Sequence, residues 1–400
     1  MDKDVYYHKT VTLRIGKQQL EFRTSQELFS SYDVDTGTRF LLRSIFEAGY
    51  RPKRILDLGC GYGPIGLALE KIYPESTVHM IDRDALAIEY SRQNAEINEL
   101  EGIEIYGSLG YDDVKRNDFD LIASNIPGKA GEALITYLLR EARYNLVPGG
   151  IAAIVVVAAL ESFVAKIFQE TPGCKIILRR NRSGHAIFHY RFLESDLPKP
   201  ERSAIDRGIY ERDNLNIRLK DIKYRMKTAY GLPEFNSLSY GSEMLITALK
   251  NIQGQDINRA IIFNPRQGHT TVALWKLIHP GTMELVDRDL LALRYSRLNL
   301  VINGCPPERI QISHQVGLER KDNERVDLIA GVLKEEGKEA ISWIIHQAIE
   351  ELTYGGMIII SGGSTAITRL VNQIEEEEGL RIKARERRQG QSLLVLEKEK

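Results

Sequence analysis

Cysteine is scarce in this 400-residue chain: Cys60, Cys174 and Cys305 are odd in number and show no metal-binding or redox spacing. That usage suits a reducing compartment and excludes a disulfide framework. Charge of one sign is not in excess either, since 54 Lys and Arg face 55 Asp and Glu for a net charge of −1. This argues against a generally basic coat for nucleic acid, though not against a local patch. No apolar run is long enough to span a bilayer. The longest, Ile151–Leu160, is rich in Val and Ile and reads as a buried strand. The N-terminal MDKDVYYHK lacks the apolar stretch of a signal peptide, and no low-complexity tract interrupts the chain. The expectation is a cytoplasmic protein with no membrane partner. What is present is ordinary globular material, 43% hydrophobic and 27% charged. It is long enough for two domains of about 200 residues each.

The chain repeats itself. Residues 81–100 read IDRDALAIEYSRQNAEINEL and residues 286–305 read VDRDLLALRYSRLNLVINGC. Asp82, Arg83, Asp84, Tyr90, Ser91, Arg92, Asn94 and Asn98 recur as Asp287, Arg288, Asp289, Tyr295, Ser296, Arg297, Asn299 and Asn303, at one constant offset. Phe119–Ala123 returns as Val326–Ala330, LVPGG (146–150) as LTYGG (352–356), and YDVDTGTRFLL (32–42) more faintly as NSLSYGSEMLI (236–246). Several segments repeated in one order indicate tandem duplication. The boundary falls in the Pro- and charge-rich SDLPKPERS (195–203), which gives domains over 1–198 and 199–400.

Within the first copy, Arg54–Leu58 reads as a short strand, followed by a glycine turn and a helix, Ile65–Ile72, ended by Pro74. Thr77–Ile81, Glu104–Tyr106, Phe119–Ser124, Ile151–Val157 and Lys175–Leu178 are further strands. Ala85–Leu100 and Glu132–Asn145 are helices, and His185–Phe192 is an antiparallel strand after a hairpin. Residues 10–24 read as a two-stranded ribbon. Strand and helix alternating at this spacing predict right-handed βαβ crossovers and a mostly parallel sheet covered on both faces.

The turn Asp57-Leu-Gly59-Cys-Gly61-Tyr-Gly63-Pro-Ile-Gly66 supports two readings. Gly61-x-Gly63-x-x-Gly66 satisfies a dinucleotide fingerprint, with Asp82 about twenty residues on as the ribose acid. Asp57-x-Gly59-x-Gly61-x-Gly63 is the methyltransferase form, distinguished by the acid at the strand end. A carboxylate there suits the cationic amino-acid tail of S-adenosylmethionine (SAM) and repels a diphosphate. SAM is therefore the preferred cofactor and NAD the rival. Asp82 would accept the ribose hydroxyls; its alternative role is a helix N-cap, which Asp84 fills as easily. Ser108, after the third strand, is a candidate neighbour of the adenine.

At the end of the fourth strand stands Phe119-Asp-Leu-Ile-Ala-Ser-Asn125-Ile126-Pro127-Gly128. Together with DLGCGYG and IDRDALAIEYSRQN, this segment resembles the methyltransferase small domain family. The resemblance extends to bacterial ribosomal RNA guanine-N2 methyltransferases, which also carry two tandem methyltransferase-like domains, one of them inactive. The stretch Glu27–Leu42 is similar to the family segment that leads into the core and borders the SAM pocket. The likeness covers roughly residues 10–195 and, more faintly, the second half.

The resemblance implies two tandem Rossmann-like class I SAM-methyltransferase domains with mostly parallel seven-stranded sheets. It implies SAM held by Asp57, Gly59, Gly61, Gly63, Asp82, Ser108 and Asn125, and methyl transfer at Asn125 and Pro127. The family motif is Asn-Pro-Pro-aromatic, whose Asn and neighbouring carbonyl hold an exocyclic amine while the ring stacks on the base. This chain has Ile126 for the first proline and Gly128 for the ring. The lost ring removes a stacking surface worth about 1–3 kcal/mol per base. The family's degenerate copy comes first, whereas here it is second.

In the second copy the turn has become Ile262-Phe-Asn264-Pro265-Arg266-Gln267-Gly268, and Gly331-Val-Leu333 replaces the acceptor motif. Side chains fill the ligand's space, so SAM is expected in the first domain alone, with Asp287 left as a helix cap. Arg179, Arg180 and Arg182, and in parallel Arg381, Lys383, Arg385, Arg387 and Arg388, are candidate RNA-phosphate contacts or solvated strand ends balanced by Glu375–Glu378. His185 and His189 share a strand face and read as surface histidines. Tyr6, Tyr7 and His8 are candidates for substrate contact or a packed arm. The expected activity is N-methylation of a guanine amine in ribosomal RNA, with ribosomal RNA or a ribosomal subunit as partner, by a monomer. A protein or small-molecule acceptor, or a non-catalytic SAM-binding scaffold, are the rivals.

Overall fold

The computed structural model describes residues 4–194, 198–219, 221–320, 324–374 and 379–399. The acidic run Glu375–Glu378, and residues 195–197 of the charge-rich stretch, lie outside the described residues. The chain divides into two compact units. One is Tyr7–Tyr210; the other is Glu211–Lys400 with the N-terminal residues as far as Tyr6.

The first unit opens with an antiparallel ribbon, β1 (Tyr7–Ile15) and β2 (Gln18–Ser25), and continues with α1 (Thr36–Ala48), β3 (Arg54–Leu58), α2 (Gly66–Ile72), β4 (Thr77–Asp82) and α3 (Ala85–Ile97). Then follow β5 (Glu104–Gly107), β6 (Phe119–Asn125), α4 (Glu132–Glu141), β7 (Leu146–Val157), α5 (Glu161–Glu170), β8 (Cys174–Arg182) and β9 (His185–Phe192). The sheet order is β5-β4-β3-β6-β7-β9-β8. The first five are parallel, and β9 and β8 close the sheet antiparallel. From β3 the chain winds outward through β4 to β5, then returns to β6 on the other side. The carboxyl ends of β3 and β6 therefore flank a topological switch point, where open α/β sheets bind ligands.

Local chemistry explains the elements that matter for that edge. Asp35 caps α1 by accepting the Thr38 N–H at 3.1 Å, and Gly49 ends the helix in the left-handed region. Leu41, Leu42 and Ile45 bury one stripe of α1, each contributing about 1.5–3 kcal/mol. Neither α1 nor α5 stood out in the sequence. The helix expected over Glu132–Asn145 ends earlier, at Glu141, and Ala142–Tyr144 forms a tighter 3₁₀ turn.

His189 is not a surface residue. It is fully buried in β9, with Nε2 on Ser44 Oγ at 2.9 Å and Nδ1 on the Tyr50 hydroxyl at 2.9 Å. Burial lowers its pKa to about 4, which keeps it neutral at pH 7. The alternation that puts His185 on the same face does hold, since His185 also lies against α1, at Gly37.

The second unit repeats the plan with β10 (Glu211–Leu219), β11 (Ile222–Ala229), α6 (Tyr240–Asn251), β12 (Arg259–Phe263), α7 (His269–Ile278), β13 (Thr282–Asp287) and α8 (Leu290–Ile302). It continues through β14 (Ile310–His314), β15 (Val326–Val332), α9 (Lys338–Glu351), β16 (Leu352–Gly363), α10 (Ser364–Ile374), β17 (Leu380–Arg388) and β18 (Gln391–Lys398). Its order, β14-β13-β12-β15-β16-β18-β17, matches the first sheet position for position. The protein is thus two tandem Rossmann-like α/β domains, each with a mostly parallel seven-stranded sheet.

The residues that recur in both copies are largely framework. Asn94 of α3 donates to the Tyr62 carbonyl at 2.8 Å and the Arg23 carbonyl at 3.0 Å, and accepts the Arg23 N–H at 2.7 Å. It ties ribbon, glycine turn and helix together. Asn299 of α8 makes the same three bonds to Gln267 and Lys227. Asn98 and Asn303 clamp Glu21 and Arg225 in the same way. No helix among the described residues is long and apolar enough to cross a membrane. Among those residues no cluster of His, Cys, Asp or Glu is placed to hold a metal ion.

Candidate functional site

The site lies at the carboxyl edge of β3, β4 and β6 in the first unit. Asp57 occupies the next-to-last position of β3 and is completely buried. Its Oδ2 accepts the Gly66 N–H at 2.7 Å, whereas Oδ1 has no partner among the described residues. Burial raises the pKa of Asp57 to about 8, and the neighbouring Asp82 adds to the rise. A buried carboxylate oxygen left without a donor is costly, and a cationic ligand would satisfy it.

Beyond Asp57 the chain turns through Gly59 (φ 79°) and Gly61 (φ 56°), where a Cβ at either position would meet open space. These φ values suit glycine, and the bare backbone leaves room for a ligand to approach closely. The N–H groups of Gly59 and Cys60 both bond the Ile81 carbonyl at 2.9 Å, pinning the turn to β4. Gly63 (φ 101°) closes it by donating to the Cys60 carbonyl at 3.0 Å.

Asp82 ends β4 beside this turn. Its Oδ2 accepts the Gly61 N–H at 2.9 Å and its Oδ1 the Asp84 N–H at 3.0 Å. The Arg83 backbone donates to this carboxylate as well, and the acceptor capacity left over suits a ligand hydroxyl. Burial raises its pKa, against the lowering effect of the Asp84, Gly61 and Arg83 backbone donors and of the Arg83 charge. Asp84, not Asp82, caps α3, accepting the Leu86 N–H at 3.0 Å. Ser108 follows β5, but its hydroxyl is occupied. It donates to the Gly110 carbonyl at 2.8 Å and accepts the Asp113 N–H at 3.2 Å. Ser108 shapes the loop beside the turn through local bonds.

Asn125 closes β6 on the far side of the switch point. Its Nδ2 donates to Asp35 Oδ2 at 2.9 Å and to Thr38 Oγ1 at 3.1 Å, both at the start of α1. These bonds fix the amide's orientation and leave Oδ1 unengaged among the described residues, as an acceptor. Pro127 is exposed and its carbonyl accepts the Ala130 N–H at 3.1 Å, forming a short turn. A Cβ on Gly128 would stand 3.3 Å from Val157 Cγ2, so Val157 borders the space next to position 128.

Two partners of Asn125 and a third residue, beside Gly37, did not emerge as site residues from the sequence. Asp35 and Thr38 belong to a segment that the family resemblance set beside the pocket, but no spacing linked them to Asn125, 90 and 87 residues away. His185 is the third. A Cβ on Gly37 would come 2.7 Å from His185 Cδ2, 3.1 Å from its Nε2 and 2.8 Å from Asp35 Oδ2. The imidazole and the Asp35 carboxylate therefore flank the glycine, and His185 stands at the acceptor edge. The structure thus brings Asp57, Gly59, Gly61, Gly63 and Asp82 to one turn, and Asn125 with Pro127 to the adjacent strand end.

The second unit retains the backbone of the turn but fills it. Asn264 (φ 47°) and Arg266 (φ 55°) adopt left-handed conformations where the first unit has glycine. Asn264 Nδ2 reaches across to the Val332 carbonyl at 3.0 Å, and Arg266 pairs with Glu234 at 2.8 Å. Asp287 is not a helix cap: Asp289 caps α8, while Asp287 pairs with Lys334 at 2.9 Å. The remaining cleft measures about 30 Å³, the space of a water molecule or two. Tyr6 lines it, donating its hydroxyl to Glu336 at 2.8 Å and setting its ring edge-on to Trp343.

Four cations of the late strands are paired with glutamates. Arg179 pairs with Glu161, Arg180 with Glu47, Lys383 with Glu397 and Arg388 with Glu243.

Comparison with known proteins agrees with this geometry. A family model for the methyltransferase small domain matches residues 19–181. The uncharacterized protein YbxB of Bacillus subtilis is 35% identical over 143 residues, which cover 36% of this chain and 71% of that protein. Ribosomal RNA small subunit methyltransferase C of Haemophilus influenzae is 34% identical over 149 residues, covering 36% of this chain but only 42% of its own length. Among solved structures, the T. thermophilus 16S rRNA N2 methyltransferase (RsmC), in complex with AdoMet and guanosine, aligns over 98% of this chain and 99% of that one. Its TM-score is 0.68 at 16% identity, a likeness of fold across both domains.

Proposed function

Because this chain belongs to the methyltransferase small domain family, we propose that its first domain transfers a methyl group from SAM to the exocyclic amine of a guanine in ribosomal RNA. The observation that carries this reading is Asn125. Its amide nitrogen is held by Asp35 and Thr38, so that its carbonyl oxygen is presented, unengaged, beside the glycine turn. The residues of that turn fit the cofactor. Asp57 Oδ1 is a buried oxygen lacking a partner among the described residues, suited to a cationic amino-acid tail, and Asp82 retains acceptor capacity for a ribose hydroxyl.

When bound, SAM supplies an electrophilic methyl group on a sulfonium. Asn125 Oδ1 accepts one N–H of the acceptor amine, and the neighbouring Ile126 carbonyl takes the other. The nitrogen lone pair is thereby aimed along the line of displacement. Once methylated, the nitrogen sheds its extra proton to water. Positioning and exclusion of solvent supply most of the acceleration, so no strong base is needed. Gly128 in place of an aromatic ring favours one second reading, a protein or small-molecule acceptor that needs no stacking. We place the protein in the cytoplasm, where ribosomal RNA is available to it.

Nucleoside mass spectrometry of ribosomal RNA from a strain lacking this protein tests the proposal. The expected result is loss of one N2-methylguanosine, restored by the wild-type chain but not by Asn125→Ala. Unchanged nucleoside methylation would remove ribosomal RNA as the substrate.

A further inference from the structure

We propose that the β10–β11 ribbon of the second unit is a docking face for the phosphodiester backbone of RNA; this rests on the RNA reading above. Strand alternation places Asn214, Asn216 and Arg218 of β10 on one face with Lys223, Arg225 and Lys227 of β11. The register sets Asn214 opposite Lys227, Asn216 opposite Arg225, and Arg218 opposite Lys223. Two like charges directly across a ribbon are destabilising, so this pair is not there to hold the hairpin together.

The face continues into a groove of about 430 Å³, lined by Arg218, Lys223, Arg225 and by Lys276 of α7. None of these four cations pairs with a carboxylate among the described residues. The nearby acids are otherwise engaged. Glu211 holds Lys227 at 2.7 Å, Asp221 holds Lys250, and Asp213 accepts the Asn214 N–H at 2.8 Å. Arg225 is anchored at its base: Asn303 accepts its N–H at 3.1 Å and donates to its carbonyl at 2.7 Å. A row of two guanidinium and two ammonium groups, with amide donors interleaved, matches a chain of phosphates.

Two contrasts support the assignment. Four of the late-strand cations, Arg179, Arg180, Lys383 and Arg388, are held by glutamates, as described above. In the first unit's ribbon the corresponding cross-strand pairs are Arg14–Gln19, Thr12–Glu21 and Thr10–Arg23, with no like-charged pair. The uncompensated charge belongs to the copy whose cofactor turn is filled.

The test is a salt titration of the full chain against a labelled single-stranded RNA of mixed sequence, followed by fluorescence anisotropy. Each phosphate contact contributes about 0.7 to the slope of log affinity against log salt. Arg218→Gln, Lys223→Gln and Arg225→Gln combined should flatten that slope by about 2 and weaken binding tenfold or more at physiological salt. The heat of SAM binding should stay unchanged. Lys223→Glu alone removes the like-charge pair; it should melt no lower than wild type yet bind RNA more weakly, which guards against a misfolded triple variant.

A slope and affinity equal to wild type would overturn the proposal. So would wild-type protein that ignores RNA and binds phosphatidylserine vesicles instead. Absence of SAM binding would sink the methyltransferase reading by itself, whereas normal SAM binding with an unaltered RNA titration would sink only the ribbon.

Discussion

Asp57 shows how a single side chain can couple cofactor binding to pH. Its pKa of about 8 means that it holds its proton at neutrality in the free protein, whereas an unfolded carboxyl, with a pKa of about 3.9, does not. Burial therefore makes Asp57 a source of instability that grows as pH rises from about 4 towards 8. A cation bound against Oδ1 reverses the preference and expels the proton. SAM affinity should accordingly rise with pH by up to about tenfold per unit below 8, and level off above it. Calorimetry in buffers of different ionisation enthalpy reads the released proton directly. Asp57→Asn should bind SAM more weakly and lose the pH dependence; a wild-type affinity that does not change between pH 6 and 8 would contradict this account. Asp57 was legible in the sequence because its motif is local. The orientation of Asn125 was not, because Asp35 and Thr38 reach it from a helix that the hydrophobic pattern did not reveal. His189 was misread for a similar reason: its partners Ser44 and Tyr50 lie far back in the chain.

At the scale of elements, the repeated Tyr-Ser-Arg-x-Asn helix is a fastening for the ribbon and the turn. Asn94 and Asn299 are each fully buried and each satisfies three backbone groups. Replacing either by alanine leaves those groups unpaired and should cost about 2–3 kcal/mol, read as a lower urea midpoint. Only Asn94→Ala should also weaken SAM binding, because Asn299 supports the turn that Asn264 and Arg266 fill. Equal SAM affinities for the two variants would show that the fastening does not reach the cofactor. The repeat was visible in the sequence as a duplication. Its meaning was not, because the partners of Asn94 at the ribbon are 71 residues away. Strand order was easier to anticipate, since alternating βαβ units leave few ways to wind a sheet.

The whole molecule is a duplicated fold in which one copy has closed its ligand site from within. Asn264 and Arg266 still follow a glycine path, a conformation that costs an arginine about 1 kcal/mol or more. Asn264 and Lys334 now occupy the place of a cofactor. SAM should therefore bind at about one molecule per chain, measured by calorimetric titration, and a second equivalent would refute the closure of the second site. The filled turn was readable from Asn264 and Arg266 in the sequence, but the roles of Lys334 and Tyr6 were not, since neither lies near the turn along the chain.

Tyr6 also sets an order of events during synthesis. Its hydroxyl partner Glu336 lies 330 positions later in the chain. At about 5–20 residues per second, that partner emerges roughly 15–65 s afterwards. Over that interval the first domain can complete its sheet and its glycine turn while Tyr6 waits in solvent. The bond it finally makes is a record that translation has passed through both halves.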